Sequence, residues 1–166
     1  MGYYLEDKLT GERLPATISR LSRKEIMLIH KSKRFHFKWD KELEFEVYGL
    51  RIDSTGEIVG VVSIKRNRNE YAVKVRLIAS AQEYTGARKR LDRIAGSLLA
   101  FVCLTSFEAN FDGFVYLVPK TYLIKVYRDK YGFQNTGTSM FSNTVNSKIL
   151  IQKYHESSDK EGIEGY

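Results

Sequence analysis

The sequence contains few of the residues that form cross-links or metal centres. It has one cysteine, Cys103, and three histidines among 166 residues. A single cysteine excludes an intrachain disulfide. No cysteines and histidines occur at the spacing of a zinc site, so we expect no metal centre.

Long apolar runs are also missing. The longest, such as residues 94–102, are far too short to span a bilayer. Residues 1–7 lack the basic start and the apolar stretch of a signal peptide. We therefore expect a cytoplasmic protein that does not enter a membrane.

The composition is that of an ordinary soluble domain with a basic surface. Hydrophobic residues make up 43% and charged residues 28%. The formal net charge is +7, which suits nucleic acid, phosphorylated cofactors or membrane surfaces without choosing between them. We expect one domain over residues 1–155. Residues 156–166 hold four carboxylates and one lysine, and we expect a flexible acidic tail there.

Local patterns in the first half predict one helix and a sheet. Ser22 and Glu25 form a capping box, which predicts a helix that runs to about Lys31. Alternating aromatic residues at 35–39 favour an extended segment. Three alternating segments, separated by turn signals, predict an antiparallel meander over residues 47–53, 57–66 and 71–79.

The second half predicts two helices and further strands. A polar, basic loop (residues 80–93) precedes a helix whose apolar positions run from Ala95 to Phe107. An apolar strand follows at 114–118, and a second helix begins with Thr121 as its cap and ends near Gly132. Residues 138–141 and 148–154 are interpreted as terminal strands. The fold class is therefore α/β (α+β), with a mixed, mostly antiparallel sheet flanked by helices.

The start of the first of these helices has the features of an anion site. Unpaired amides and the helix dipole favour negative charge there, and small residues let a phosphate approach the backbone. Small residues and cations occur together at this point, which suits a diphosphate. The alternative is a solvated basic loop before an ordinary helix. The residues concerned are Arg88, Lys89, Arg90, Arg93, Ala95, Gly96 and Ser97.

This region resembles the GNAT N-acetyltransferase superfamily. Residues 90–95 stand where that family carries Arg/Gln-x-x-Gly-x-Gly/Ala: Arg90 and Ala95 match, and Arg93 replaces the first glycine. Downstream, Tyr127 and the pair 132–133 correspond to the tyrosine and the Gly-Phe of the family's Tyr-x-x-x-Gly-Phe pattern, whereas Lys120 stands where asparagine is usual. Similarity to a subset of bacterial members of this family extends the resemblance over most of residues 11–154.

The resemblance implies a mechanism and a set of site residues. An amine would attack the thioester of acetyl-CoA directly in a ternary complex, with Tyr127 as the acid for the departing thiolate. A backbone amide in residues 77–79 would stabilise the oxyanion. Glu83 is the first candidate for the base, ahead of Glu44 and Glu46. The implied acetyl-CoA-binding residues are Leu77, Ile78, Ala79, Arg88, Lys89, Arg90, Arg93, Ile94, Ala95, Gly96, Ser97 and Lys120.

Other chemically active residues are interpreted as structural. Cys103 lies on the apolar helix face and belongs to the core. His36, like the other two histidines, is isolated and is interpreted as structural or exposed. Trp39 and its aromatic neighbours form core or wall an acceptor pocket.

Two other functions stay open. Arg93 and the lack of an obvious base are consistent with a catalytically silent binding or regulatory module. The basic charge suits a nucleic-acid-binding protein, but residues 88–93 contain no aromatic side chain, so this is the weakest reading. The acceptor amine and the oligomeric state stay open as well.

Overall fold

The computed structural model describes residues 2–86 and 89–156. Arg88 and residues 157–166 of the acidic segment lie outside the described residues. The predicted fold class is confirmed, since a mixed, mostly antiparallel sheet is flanked by helices. The helices are α1 (Arg23–Ser32), α2 (Ile94–Glu108), α3 (Ile124–Asp129) and α4 (Thr144–Tyr154).

One sheet of nine strands carries these helices. The strands are β1 (Tyr3–Asp7), β2 (Arg13–Arg20), β3 (Glu46–Ile52), β4 (Ile58–Asn67), β5 (Ala72–Ser80), β6 (Leu91–Asp92), β7 (Val115–Leu117), β8 (Gln134–Thr136) and β9 (Ser139–Ser142). Their order is β6-β1-β2-β3-β4-β5-β7-β9-β8. The pair β5–β7 is parallel, and each of the others is antiparallel.

The main core lies between the sheet and α2. Leu98, Leu99 and Val102 are fully buried on this side, and α4 packs beside α2. Gly96 makes that packing possible, because a Cβ there would lie 2.1 Å from the Tyr154 ring. Cys103 is fully buried in the same cluster, which confirms its assignment to the core.

A second cluster covers the opposite face of the sheet. Ser22 accepts a hydrogen bond from the Glu25 amide, and Glu25 binds the Ser22 amide in return, so the predicted capping box is confirmed. Ile26 and Ile29 of α1 then pack with Trp39, which is fully buried. The sheet is therefore covered on both faces.

The extended segment predicted at residues 35–39 is wrong. The chain bends there and enters a 3₁₀ turn at Trp39–Glu42. Phe37 has a φ of +83°, which no strand allows. The aromatic alternation instead reflects the burial of Phe35 and Trp39 against α1.

The terminal strand predicted at residues 148–154 is also wrong, because this segment belongs to α4. Asn143 caps the helix by accepting a hydrogen bond from the Asn146 amide. The buried positions recur at helical spacing and face α2: Ser147, Leu150, Ile151 and Tyr154. A run of apolar residues in a short segment does not by itself separate the two periods.

The hairpin of β1 and β2 is absent from the sequence-based prediction. Its two strands pair over residues 3–6 and 13–16. Within the predicted basic loop, the short strand β6 pairs with β1, so this loop is joined to the N-terminal hairpin.

The start of the second predicted helix also differs from expectation. Thr121 begins a 3₁₀ turn, and α3 follows without a side-chain cap. Gly132, with a φ of +72°, ends it as predicted, and its amide donates to the Arg128 carbonyl. Val126 of α3 is 42% exposed.

Candidate active site

The sheet opens between β5 and β7. These parallel strands pair at only two positions, Val73 with Val115 and Lys74 with Tyr116. Strand β5 continues to Ser80, whereas β7 ends at Leu117, two residues before Pro119. Within the described residues, no strand pairs with this edge of β5 beyond Lys74. The remaining edge groups of β5 are therefore available to a ligand.

A β-bulge lies at the point where the strands separate. Ser63 of β4 pairs with Leu77 and Ile64 pairs with Val75, so Arg76 is the extra residue. The bulge changes which side chains face α2. Val75 belongs to the α2 cluster, but Leu77 packs in the α1 cluster. Regular alternation would have placed these two side chains on one face.

Two adjoining cavities occupy the opening. The larger, here called the helix cavity, has a volume of about 360 Å³ and lies between the end of β5, the start of α2 and α3. The smaller, the strand cavity, has about 170 Å³ between β5 and β7. Four residues line both cavities: Phe37, Ile78, Leu123 and Tyr127.

Tyr127 is a buried residue that lines both cavities. Its side chain is 9% exposed, and its ring packs against Tyr131 and Phe133. Burial raises the pKa of Tyr127 to about 12, so the phenol is protonated at neutral pH. Among the described residues, none forms a hydrogen bond with this hydroxyl. The structure therefore holds a proton donor at the junction of the two cavities.

The start of α2 contributes to the helix cavity through Ala95. Two residues on, the Ser97 hydroxyl is buried and has no hydrogen-bond partner among the described residues. Ile94 is fully buried in the main core, and the small size of Gly96 is explained by the Tyr154 ring. Ala95 therefore gives the helix start a small residue at the cavity, whereas Ser97 is fully buried and lines neither cavity.

The backbone of Arg93 adopts a conformation that favours glycine. Its φ is +79°, the left-handed region that glycine adopts freely. Its Nε donates to the Tyr4 carbonyl at 3.1 Å, and its Nη2 donates to the Lys153 carbonyl at 2.8 Å. The guanidinium also stacks on the Tyr4 and Tyr154 rings. Arg93 therefore binds β1 and α4 with its side chain, and the side chain does not cover the start of α2.

The other described cations of the basic loop also have protein partners. Lys89 lies 3.3 Å from Asp92, and the Nε of Arg90 donates to Asp7 at 3.0 Å. The side chain of Arg90 is nevertheless 56% exposed, so it can still reach a ligand. The loop thus carries less free positive charge than its composition suggests.

Glu83 lies away from Tyr127. It follows β5 in a 3₁₀ turn, and its carboxylate accepts hydrogen bonds from Arg34 at 2.8 and 2.6 Å. Burial alone would raise the pKa of Glu83, but the hydrogen bonds and charge of Arg34, together with a backbone hydrogen bond, lower it below its usual value. Glu83 lines neither the helix cavity nor the strand cavity. The structure therefore does not bring these two predicted catalytic residues together.

The remaining predicted residues do lie at the cavities. Leu77 lines the strand cavity, Ala79 the helix cavity and Ile78 both. Lys120 is exposed at the strand cavity, with its Nζ 5.6 Å from the centre of the Phe37 ring.

Arg76 and Glu42 are residues that the sequence did not single out. Arg76 lines the strand cavity, and its Nε donates to the buried carboxylate of Glu42 at 2.8 Å. The Ser63 hydroxyl donates to the same carboxylate at 2.7 Å, and the Phe45 ring lies 3.6 Å from the guanidinium. This network fixes the bulge. Its members are distant in sequence, so no local pattern could have joined them.

Neither a metal cluster nor a membrane helix emerges from the described residues. No three His, Cys, Asp or Glu side chains among residues 2–86 and 89–156 are arranged to hold a metal ion. None of the helices in that part of the chain has the length and apolar character of a membrane span.

Comparisons with known proteins identify the fold. No family model and no curated protein matches the sequence. Among solved structures, a variant of the spermidine/spermine N-acetyltransferase SpeG from Vibrio cholerae matches with a TM-score of 0.60 and 16% identity, over 80% of this chain and 97% of that chain. The chain therefore has the GNAT acetyltransferase fold that its sequence resembles.

Two further structures share this fold. An IAA acetyltransferase from Bacillus cereus matches with a TM-score of 0.52 and 17% identity, over 74% of this chain and 79% of that chain. AtaT, in complex with acetyl-methionyl-tRNAfMet, matches with a TM-score of 0.55 and 10% identity, over 82% of this chain and 99% of that chain.

Proposed function

We propose that this protein is an N-acetyltransferase that transfers an acetyl group from acetyl-CoA to a primary amine. The observation that carries the proposal is the position of Tyr127, which lines both cavities at the opening between β5 and β7. The GNAT fold of the chain supports the same reaction.

The residues at the opening fit acetyl-CoA. The two cavities run beside the free edge of β5, where a pantetheine chain can meet backbone groups. The start of α2 supplies main-chain amides and the small residue Ala95 for a diphosphate. Arg90 is exposed enough to add a positive charge. Lys120 and Ile78 would lie along the bound coenzyme.

The chemistry follows from three groups of this chain. Acetyl-CoA supplies an activated thioester, which an amine attacks at its carbonyl carbon while both are bound. A backbone amide of residues 77–79 would donate to the carbonyl oxygen as that oxygen gains charge. The Tyr127 phenol would donate its proton to the sulfur as the carbon–sulfur bond breaks. The ammonium of the acceptor must first lose a proton to a base.

The acceptor class has to be found by experiment. SpeG is named for spermidine and spermine, and AtaT is seen with an acetylated methionyl-tRNA, so structures of this fold are associated with small and with macromolecular amines. The positive charge of this chain favours an acceptor that also carries a carboxylate or a phosphate.

Calorimetric titration with acetyl-CoA tests the proposal first. We expect one-to-one binding, and stabilisation of about 2.7 kcal/mol at one hundred times the dissociation constant. We then expect free thiol to be released from acetyl-CoA when at least one amine of a panel is added. The amine panel consists of spermidine, a peptide with a free N-terminus and a lysine-containing peptide with a blocked N-terminus.

A catalytically silent module is the second candidate. It is favoured by the protein partners that Lys89, Arg90 and Arg93 already have. No binding at millimolar acetyl-CoA would contradict the acetyltransferase and support this module.

A further inference from the structure

Among the described residues that line the two cavities, one side chain is suited to act as a base. The ionisable residues of the helix cavity are His36, Tyr122, Tyr127 and Tyr131, and those of the strand cavity are Arg76, Lys120 and Tyr127. Within residues 2–86 and 89–156, no carboxylate lines either cavity. Arginine and lysine are protonated at neutral pH, and so is the phenol of tyrosine. Imidazole is the side-chain base that is neutral in the physiological range.

The backbone around His36 is held firmly. Phe35 and Trp39, on either side of it, are buried in the α1 cluster. The indole Nε1 of Trp39 donates to the His36 carbonyl at 2.7 Å. The next residue, Phe37, has a left-handed φ of +83°, a strained conformation that persists only where the surrounding structure holds it. These contacts hold His36 and Phe37 beside the helix cavity.

The imidazole itself stays accessible at that position. Its ring packs edge-on against the Phe37 ring, with 4.6 Å between the ring centres. The side chain lines the helix cavity on one side and a neighbouring groove on the other. In the groove the titratable residues near it are His30, Lys31 and Lys33. Because His36 is exposed, a proton taken up by its imidazole can pass directly to solvent.

We propose that His36 is the catalytic base that deprotonates the acceptor amine. This inference rests on the proposed acetyltransferase function. The imidazole accepts one proton from the ammonium, and the freed nitrogen pair forms the new bond to the acetyl carbon. The carbon–sulfur bond breaks, and the thiolate takes its proton from Tyr127. The nitrogen of the new amide loses its remaining extra proton through water to the Tyr127 phenolate, which restores the phenol, and His36 releases its proton to solvent.

Two carboxylates close in sequence to the site already accept hydrogen bonds from other side chains. Glu42 is 3% exposed and accepts from Arg76 and Ser63. Glu83 accepts from Arg34. Neither residue lines a cavity with Tyr127.

The substitution His36→Ala tests the assignment. We expect kcat for thiol release to fall by about 10²-fold or more, the usual contribution of a general base. The dissociation constant for acetyl-CoA and the melting temperature should stay close to those of the wild type, because the side chain is exposed. Added imidazole should restore turnover to the variant in proportion to its concentration. The probes are acetyl-CoA and the amine of the panel that the wild type acetylates fastest.

His30→Ala is the matched control. His30 lies on α1 and its Nδ1 is 3.5 Å from Asp40, away from the two cavities. This variant should keep wild-type turnover and should not respond to imidazole. The variant His36→Asn keeps polarity without basicity, so it should remain as slow as His36→Ala.

Three results would overturn the inference. Wild-type turnover in His36→Ala would remove His36 and leave the acetyltransferase proposal intact. Full activity in His36→Asn would show that His36 only positions its neighbours. A wild type that binds acetyl-CoA but acetylates no amine of the panel would overturn both proposals together.

Discussion

The two edges of β5 differ in how they use the same backbone. On one edge, β5 pairs with β4 at eight positions from Ala72 to Ser80. On the other edge, it pairs with β7 at only two positions, and then the strands separate. The paired edge uses its amides and carbonyls for stability, and the open edge leaves them for a ligand. One strand thus joins the core and the candidate site.

The bulge at Arg76 marks the change between these two uses. Before it, Val75 packs toward α2, and after it Leu77 packs toward α1. A single extra residue therefore lies where the sheet opens, and it reverses the side-chain pattern beyond that point. Stability and chemistry should therefore respond to different substitutions along the same strand.

Tyr127→Phe should produce the largest effect. It should reduce turnover and leave stability nearly unchanged. We expect kcat to fall by about 10²-fold or more, because the donor for the departing thiolate is lost. The free energy of unfolding at neutral pH should barely change, because this hydroxyl has no hydrogen-bond partner among the described residues. Thiol-release kinetics and urea unfolding would separate the two effects. Wild-type turnover in a folded variant would reduce Tyr127 to a packing residue.

Glu42→Gln should act on the bulge and therefore on stability first. The carboxylate is buried and holds Arg76 and Ser63, so we expect a loss of about 1–3 kcal/mol in the free energy of unfolding. Glu44→Gln is the control, because Glu44 is 83% exposed and pairs only with Arg23 among the described residues. Its effect should stay below about 1 kcal/mol. Equal effects would show that the network does not hold the bulge.

Alkaline pH should weaken the fold through the buried phenol that faces the opening. Burial raises the pKa of Tyr127 to about 12, so the folded state favours the protonated form. This stability is complete below the ordinary tyrosine pKa of about 10 and is lost as the pH rises toward about 12. At about pH 11, Tyr127 should account for about 1 kcal/mol of the loss, which Tyr127→Phe should remove. Unfolding curves at about pH 9 and 11 would show whether the variant differs.

Glu83→Gln should have the smallest effect. Glu83 lies in the 3₁₀ turn after β5, binds Arg34 and lines neither cavity. We expect turnover to change by less than about tenfold, below the contribution of a general base. Steady-state kinetics with a saturating amine would measure it. A hundredfold loss would restore Glu83 as the base and would contradict the assignment of His36.

The sequence predicted the meander, α1, α2 and the short strand β7, because each has a clear local pattern. It also predicted a tyrosine at the site, through the resemblance around Tyr127. It did not predict the role of His36, whose neighbours in the cavity come from β5 and α3. It also missed the contacts of Arg93, which reach to Tyr4 and Lys153.

Local chemistry alone determined the capping box at Ser22, the turn at Gly132 and the burial of Cys103. These features depend on residues a few positions apart, or on hydrophobicity, and both are written in the sequence. The tertiary structure alone decided that residues 148–154 form a helix, that β5 parts from β7, and that Glu42 holds Arg76. Each of these depends on a partner far along the chain, and pairing energy with such a partner overrides local preference.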